Sequence, residues 1–297
     1  MSDAAMTDGA GSLSRPEARS VGALAMELQL LLGETSSRTS HDIIAALLDV
    51  PRFWPSANAA DAIDDTLCRA ARVAVARLQS GAPFAYAVRR ASFRHLTLDV
   101  DERVLIPRPE TEGLVDEVLR MSAGMRGCAI DVGTGSGAIA LALASEGNFD
   151  YVVATDVSVD ALAVARQNAN RLAGALRSAL EFRQGSLLAP VRDLHATVIV
   201  SNPPYIAYHE AAELPSAVRD WESTLALMSG ADGMSATTSI IRGAADMLQQ
   251  GGILALEVDV RRASLAAEML AVDSRYCEVA VRLDLAGRER FVVARRL

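Results

Sequence analysis

The chain has 297 residues, with 37 acidic side chains, 29 basic ones that are all arginine, and a net charge of −8. With no lysine amine, Schiff-base and pyridoxal chemistry and a Walker-type phosphate loop are excluded, and the negative balance argues against a naked polyanion as partner. Cys68, Cys128 and Cys277 are scattered and odd in number, so they offer neither a disulfide framework nor a CxxC motif, as expected of a protein in the reducing cytoplasm.

Residues 1–20 are small and polar and read as a disordered leader. From 21 to 82, apolar residues recur at helical spacing in VGALAMELQLLLG, HDIIAALLDV and DAIDDTLCRAARVAVARLQS, which predicts a small helical domain. The stretch from Val21 to Leu32 is interrupted by Glu27 and Gln29 and is too short to span a membrane. Over 83–109, FRHLTLDV and RVLIP predict a β-hairpin linker, followed by the proline-punctuated turn IPRPETE.

From 110 to 297, strand and helix alternate as in a parallel sheet with crossover helices, an α/β fold. After a helix over Glu110–Met121, strands are expected at Cys128–Val132, Tyr151–Thr155, Leu180–Gln184, Thr197–Ser201 and Gly252–Val258. Helices are expected over Ser158–Leu172, Ser235–Gln249 and Arg262–Leu270, and CEVAVRL and RFVVARRL form a final antiparallel hairpin. The β-branched run TVIVS suits a buried central strand.

Three segments carry chemistry. Gly133-Thr134-Gly135-Ser136-Gly137 follows the first strand and opens a helix, so its backbone can approach a nucleotide-like cofactor closely. Extended to Ala138, the run GTGSGA also satisfies the G-x-G-x-x-A form of a dinucleotide site. Asp156, at the end of the second strand, can accept both hydroxyl hydrogens of a ribose in either kind of site, with Ser158 as the cap of the next helix.

Asn202-Pro203-Pro204-Tyr205 discriminates further. The two prolines remove N–H donors and hold the preceding residues extended. The Asn202 side-chain oxygen and the Pro203 carbonyl can then take both hydrogens of an incoming –NH₂, with the Tyr205 ring against its plane. Aiming a poorly nucleophilic amide nitrogen in this way suits methyl transfer from a sulfonium. His41, His95, His195 and His209 show no metal-ligand spacing, and no metal is expected.

These residues resemble the N5-glutamine methyltransferases of peptide chain release factors, class I S-adenosylmethionine-dependent enzymes with an NPPY motif. VLIPRPETE (Val104–Glu112), GAPFAYAVRRASF (Gly81–Phe93) and VRDWESTLALMSGADGM (Val218–Met234) also resemble that family, and the similarity covers about residues 22–297. The resemblance implies a Rossmann-like class I methyltransferase sheet ending in an antiparallel hairpin, with a small N-terminal helical domain that binds the release factor. It implies that Gly133, Thr134, Gly135, Ser136, Gly137, Asp156, Leu187 and Asn202 hold S-adenosyl-L-methionine. Asn202, Pro203, Pro204 and Tyr205 would hold the glutamine, with Asn202, Pro203 and Tyr205 catalytic. A cytoplasmic monomer acting on release factors follows, with no membrane and no direct nucleic-acid partner.

The chain departs from the family pattern at Arg89, at Ser186 and Leu187, where an acidic and an aromatic residue are common, and at Glu257-Val258-Asp259, where EIG is common. Arg108 and Glu110 suit either a place beside the cofactor crevice or a turn and helix start. Other readings are a methyltransferase acting on a ribosomal-protein glutamine or on adenine N6 of DNA, a nicotinamide oxidoreductase, which leaves NPPY unexplained, and a non-enzymatic binding module.

Overall fold

The computed structural model describes residues 19–33 and 37–297, so all but the end of the leader expected over 1–20 lies outside the described residues. Two units emerge, one through Gln79 and one from Ser80 onward.

The first unit contains β1 (Arg19–Ser20), α1 (Val21–Leu32), α2 (Ser37–Leu48), α3 (Trp54–Ala57), β2 (Ala62–Ile63) and α4 (Asp65–Gln79). Ser20 Oγ caps α1 by accepting the N–H of Ala23 at 3.2 Å, and Asp64 Oδ1 accepts that of Leu67 at 2.8 Å at the start of α4. Val21, Leu24, Ala25 and Leu28 form one buried stripe of α1, while Leu67, Ala71, Ala74 and Val75 do the same for α4. Both helices pack against α2, whose Ile43 and Ile44 are fully buried.

The second unit runs α5 (Phe84–Val88), β3 (Arg90–Phe93), β4 (Leu96–Asp99), α6 (Pro109–Met121), β5 (Cys128–Val132), α7 (Ala138–Glu146), β6 (Tyr151–Asp156), α8 (Val159–Arg171), β7 (Ala179–Gln184) and β8 (Ala196–Ser201). It continues through α9 (Ser216–Arg219), α10 (Thr224–Leu227), α11 (Ser235–Ala244), β9 (Leu248–Glu257), α12 (Ala263–Val272), β10 (Tyr276–Leu283) and β11 (Glu289–Arg296). Seven strands make one sheet in the order β10-β11-β9-β8-β5-β6-β7. The β9-β8-β5-β6-β7 pairings are parallel, and β11 and β10 add an antiparallel edge. Every residue of β5 and β8 is buried, Asp131 included, as the apolar run TVIVS predicts for β8. Val198 and Val200 face one apolar layer with Leu114, Leu141 and Phe291, while Ile199 faces the other with Ile130 and Leu254, the period-two alternation of a strand covered on both faces.

Two element expectations shift. FRHLTLDV contains both the end of β3 and all of β4, since Arg94, in the left-handed region at φ 54°, turns the chain between them. RVLIP joins no strand among the described residues, and Pro107, which has no N–H to give a ladder, closes it. Arg94 is also a clamp: its Nε and one terminal nitrogen donate to Glu146 at 2.7 and 2.8 Å, and the other terminal nitrogen donates to Asp116 at 2.7 Å. The second shift is in α11, which stops at Ala244 instead of reaching Gln249. The Met247 carbonyl is taken by the N–H of Ala196 at 2.8 Å and Leu248 pairs with Ala196, so sheet pairing overrides helical propensity.

No helix among the described residues is long and apolar enough to cross a membrane.

Candidate active site

Ligands of open α/β sheets bind beyond the carboxyl ends of the strands, and here the ends of β5, β6, β7 and β8 converge on a cavity of about 550 Å³. That volume lies within the roughly 300–1,000 Å³ usual for small-molecule sites. Gly133, Gly135, Asp156, Leu187, Asn202 and Pro204 are in its wall, together with Arg103–Leu105, Met228–Gly230 and the start of α11.

The glycine loop after β5 is held from beneath. The N–H groups of Gly133 and Thr134 both donate to the Thr155 carbonyl, at 2.9 and 2.8 Å. Gly133 and Gly135 adopt φ of 76° and 55°, and a Cβ on either would meet no atom within 4 Å, so both present bare backbone to the cavity. Gly137, at φ 87°, serves packing, since a Cβ there would lie 3.1 Å from Leu141 and 3.3 Å from Ala165. Thr134 and Ser136 are buried and do not line the cavity; the Thr134 hydroxyl donates to Asp131 Oδ2 at 2.6 Å, and the Ser136 backbone carbonyl accepts Asn168 Nδ2 at 2.9 Å. Asp131 Oδ2 also accepts the N–H of Ala140 at 3.0 Å, whereas Oδ1 is buried with no hydrogen-bond partner. Burial pushes this carboxyl up to about 7.

At the end of β6, Asp156 Oδ2 accepts the N–H of Gly135 at 2.9 Å and Oδ1 accepts that of Ser158 at 2.9 Å. Each oxygen keeps a lone pair for a ligand hydroxyl. Ser158 caps α8 by accepting from Ala161 at 3.1 Å. Leu187, after β7, is left-handed at φ 48°, and its carbonyl accepts the Thr155 hydroxyl at 3.3 Å. A strained non-glycine residue in a cavity wall is the kind of feature that clusters at ligand sites. Bare glycine backbone, a partly engaged carboxylate and an apolar side chain in one cavity fit a ligand with a nucleoside portion.

Asn202-Pro203-Pro204-Tyr205 follows β8 and separates this cavity from a second one of about 370 Å³, walled by Asn202, Pro203, Pro204 and Tyr205 with Arg108, Asp259, Arg261 and Arg290. Asn202 and Pro204 belong to both walls. Burial pushes the Tyr205 phenol up to about 12, so it stays protonated. Asn202 Nδ2 donates to Thr111 Oγ1 at 3.1 Å, and the Thr111 hydroxyl donates to Glu257 Oε2 at 2.6 Å. Glu257, at the end of β9, is 1% exposed, and burial pushes its carboxyl up to about 7.

The segment after NPPY is tied down by buried charge. A terminal nitrogen of Arg262 donates to both oxygens of Glu210, at 2.9 and 2.8 Å, while Glu210 Oε2 accepts the Ala207 N–H at 2.8 Å. Arg108 donates to both oxygens of Glu222 at 2.6 and 2.7 Å, which joins IPRPETE to this segment.

The sequence-expected residues Gly133, Gly135, Asp156, Leu187, Asn202, Pro203, Pro204 and Tyr205 thus lie along the two cavities, whereas the side chains of Thr134 and Ser136 do not. Thr111, Glu222 and Glu257 stand in segments that the sequence already singles out, yet nothing in those segments gives the three side chains a role. Glu257 carries a readable signal, an acid closing an otherwise apolar strand at the ligand end of the sheet.

A family model described as "Methyltransferase small domain" matches residues 110–218. A release factor glutamine methyltransferase of Moorella thermoacetica is 36% identical, with 97% of this chain and 94% of that protein covered. One from Gloeobacter violaceus is 41% identical over 73% of this chain and 76% of the relative. Among solved structures, the hMettl16 catalytic domain in complex with MAT2A 3'UTR hairpin 6 shares the fold, with a TM-score of 0.53 and 17% identity over 78% of this chain and 82% of that one. With the extent of the first of these likenesses, and with NPPY standing beside the glycine loop, the chain belongs to the release factor glutamine methyltransferase family.

Proposed function

We propose that this chain methylates the side-chain amide nitrogen, N5, of the glutamine in the Gly-Gly-Gln loop of peptide chain release factors, with S-adenosyl-L-methionine as donor. One observation carries the reading: Asn202 and Pro204 stand in the walls of both cavities, where a donor held on one side meets an amide entering from the other. S-adenosylmethionine, when bound, supplies a methyl carbon made electrophilic by its sulfonium.

Everything else falls to the protein. The bare backbone of Gly133 and Gly135 leaves room for close approach, the free lone pairs of Asp156 suit ribose hydroxyls, and the Leu187 side chain suits an adenine face. The Asn202 side-chain oxygen and the Pro203 carbonyl accept hydrogen bonds from the two amide hydrogens and turn the nitrogen toward the donor cavity; as the methyl carbon leaves the sulfur for the nitrogen, one of those hydrogens departs as a proton to solvent. The Tyr205 ring flanks the amide, its protonated phenol excluding a role as base. Positioning of this kind supplies several kcal/mol, about 7–11 in the best-oriented intramolecular cases. The helical first unit, with Met26, Leu30 and Phe53 exposed, is the part that recognises the release factor. The enzyme works as a cytoplasmic monomer.

Mass spectrometry of a release factor incubated with enzyme and S-adenosylmethionine tests the reading. A mass gain of one methyl on the Gly-Gly-Gln glutamine is expected. An unmodified glutamine with donor demonstrably bound overturns it.

A further inference from the structure

A hydrogen bond between two oxygens needs one proton, and that requirement fixes the direction of a chain running out of the site. Thr111 Oγ1 and Glu257 Oε2 lie 2.6 Å apart in a buried environment. An ionised carboxylate can only accept, so the Thr111 hydroxyl must supply the proton. Its oxygen then turns a lone pair toward Asn202, which must answer with its NH₂ group, as the 3.1 Å contact from Nδ2 records. With the NH₂ edge held there, the amide oxygen is left for the other edge. The reverse orientation would aim two donors at a substrate amide that has hydrogens of its own to place.

We propose that Thr111 and Glu257 are positioning residues that lock the Asn202 amide with its oxygen toward the substrate nitrogen. The inference rests on the glutamine-methylating reading above and adds to it the groups that select one of the two Asn202 orientations. Glu257 acts through Thr111 and touches no substrate.

A protonated Glu257 no longer forces the direction, since it can itself donate to Thr111 Oγ1 and free the hydroxyl to point at Asn202. The charged and titratable groups around Glu257 are Arg290 on β11, Arg108 and Glu110 at the start of α6, and Tyr205 after β8, which itself also feels Asp259. The arginines favour the ionised form and Glu110 opposes it, while burial is the largest influence and raises the carboxyl to about 7. Turnover should therefore rise with pH through about 7 and level off above it. Asp131 titrates in the same range, so a substitution must identify the source.

The experiment follows kcat against pH, with donor affinity by calorimetry, for wild type, Thr111→Val, Thr111→Ser and Glu257→Gln, using a release factor as substrate. Thr111→Val keeps the shape without the hydroxyl, and kcat should fall at least about tenfold with the S-adenosylmethionine Kd within twofold. Thr111→Ser, which restores the hydroxyl, should recover turnover. Glu257→Gln should lower kcat and abolish the acid limb. Wild-type kcat in Thr111→Val, or an acid limb that persists in Glu257→Gln, overturns the inference. If Glu257→Gln fails to fold, the two Thr111 variants decide alone. Wild-type enzyme that leaves the glutamine unmethylated overturns the function itself, a separate result from methylation that is indifferent to Thr111.

Discussion

The N–H of Gly135 donates to Asp156 Oδ2 at 2.9 Å, so the glycine loop after β5 and the carboxylate ending β6 form one unit. Asp156 thus shapes the loop as well as offering lone pairs to a ribose. Asp156→Ala removes both contributions. Two charge-assisted hydrogen bonds to the ribose contribute about 1.5–3 kcal/mol each, so the S-adenosylmethionine Kd measured by calorimetry should rise by about 10²–10⁴-fold.

Gly135→Ala and Gly137→Ala separate two uses of glycine. Both residues are left-handed, which costs an alanine about 1–2 kcal/mol. At Gly137 the new methyl also presses on Leu141 and Ala165, so the urea midpoint should fall further than for Gly135→Ala. At Gly135 the methyl enters the cavity, so the larger loss should be in donor affinity. Paired urea and calorimetric titrations check the contrast.

Asn202→Ala removes one of two proposed acceptors without touching the glycine loop. Loss of a preorganised polar contact to the reacting group typically costs about 10²–10³ in kcat. Methyl incorporation should fall by that order while the donor Kd stays within a few-fold.

Arg262→Ala leaves Glu210 buried with the Ala207 N–H and the exposed Arg261 as remaining partners. Breaking a buried pair from one side costs about 3–5 kcal/mol. Arg261 offsets some of that, so a loss near the lower bound is expected in urea unfolding. Early protease cleavage within 206–234 should accompany it.

Asp131 and Glu257 make stability depend on pH in a defined direction. Burial holds both carboxyls near 7 in the folded chain, above the ordinary carboxylate value of about 4. Their protonated forms favour the native state, so this contribution is complete below about pH 4 and lost as pH rises through about 7. Asp131→Asn should flatten the decline in unfolding free energy between about pH 4 and 7, and an unchanged slope would assign the decline elsewhere.

Much of this site is legible in the sequence because it rests on local rules. TVIVS and CAIDV are apolar enough to be central strands, the glycines must follow one of them, and the prolines of NPPY restrict their own neighbourhood. RVLIP misleads because its β-branched and apolar content outweighs, on paper, the N–H group its closing proline lacks. The helix expected to reach Gln249 is cut short by a pairing with Ala196 that no local pattern announces. Thr111 and Glu257 are 146 positions apart, and Arg108 meets Glu222 across 114. Contacts of that separation belong to the fold, and only the ligand end of the sheet offers a hint of where one partner lies.

The Arg94 clamp bears on how the chain tolerates base. Hydrogen bonds donated to Glu146 and Asp116 raise the Arg94 guanidinium above its already high range, and Arg94 in turn holds the Glu146 carboxyl below its own. With arginine supplying every basic side chain, none of these pairs loses its cation where an ammonium partner would begin to, near about pH 10. Burial moves the same way elsewhere, pushing the Cys128 thiol up to about 11 and the Tyr86 phenol above its ordinary value. The next loss of stability therefore begins where the Cys128 thiol of the unfolded chain ionises, near about pH 8.5, well below the value at which the folded thiol gives up its proton.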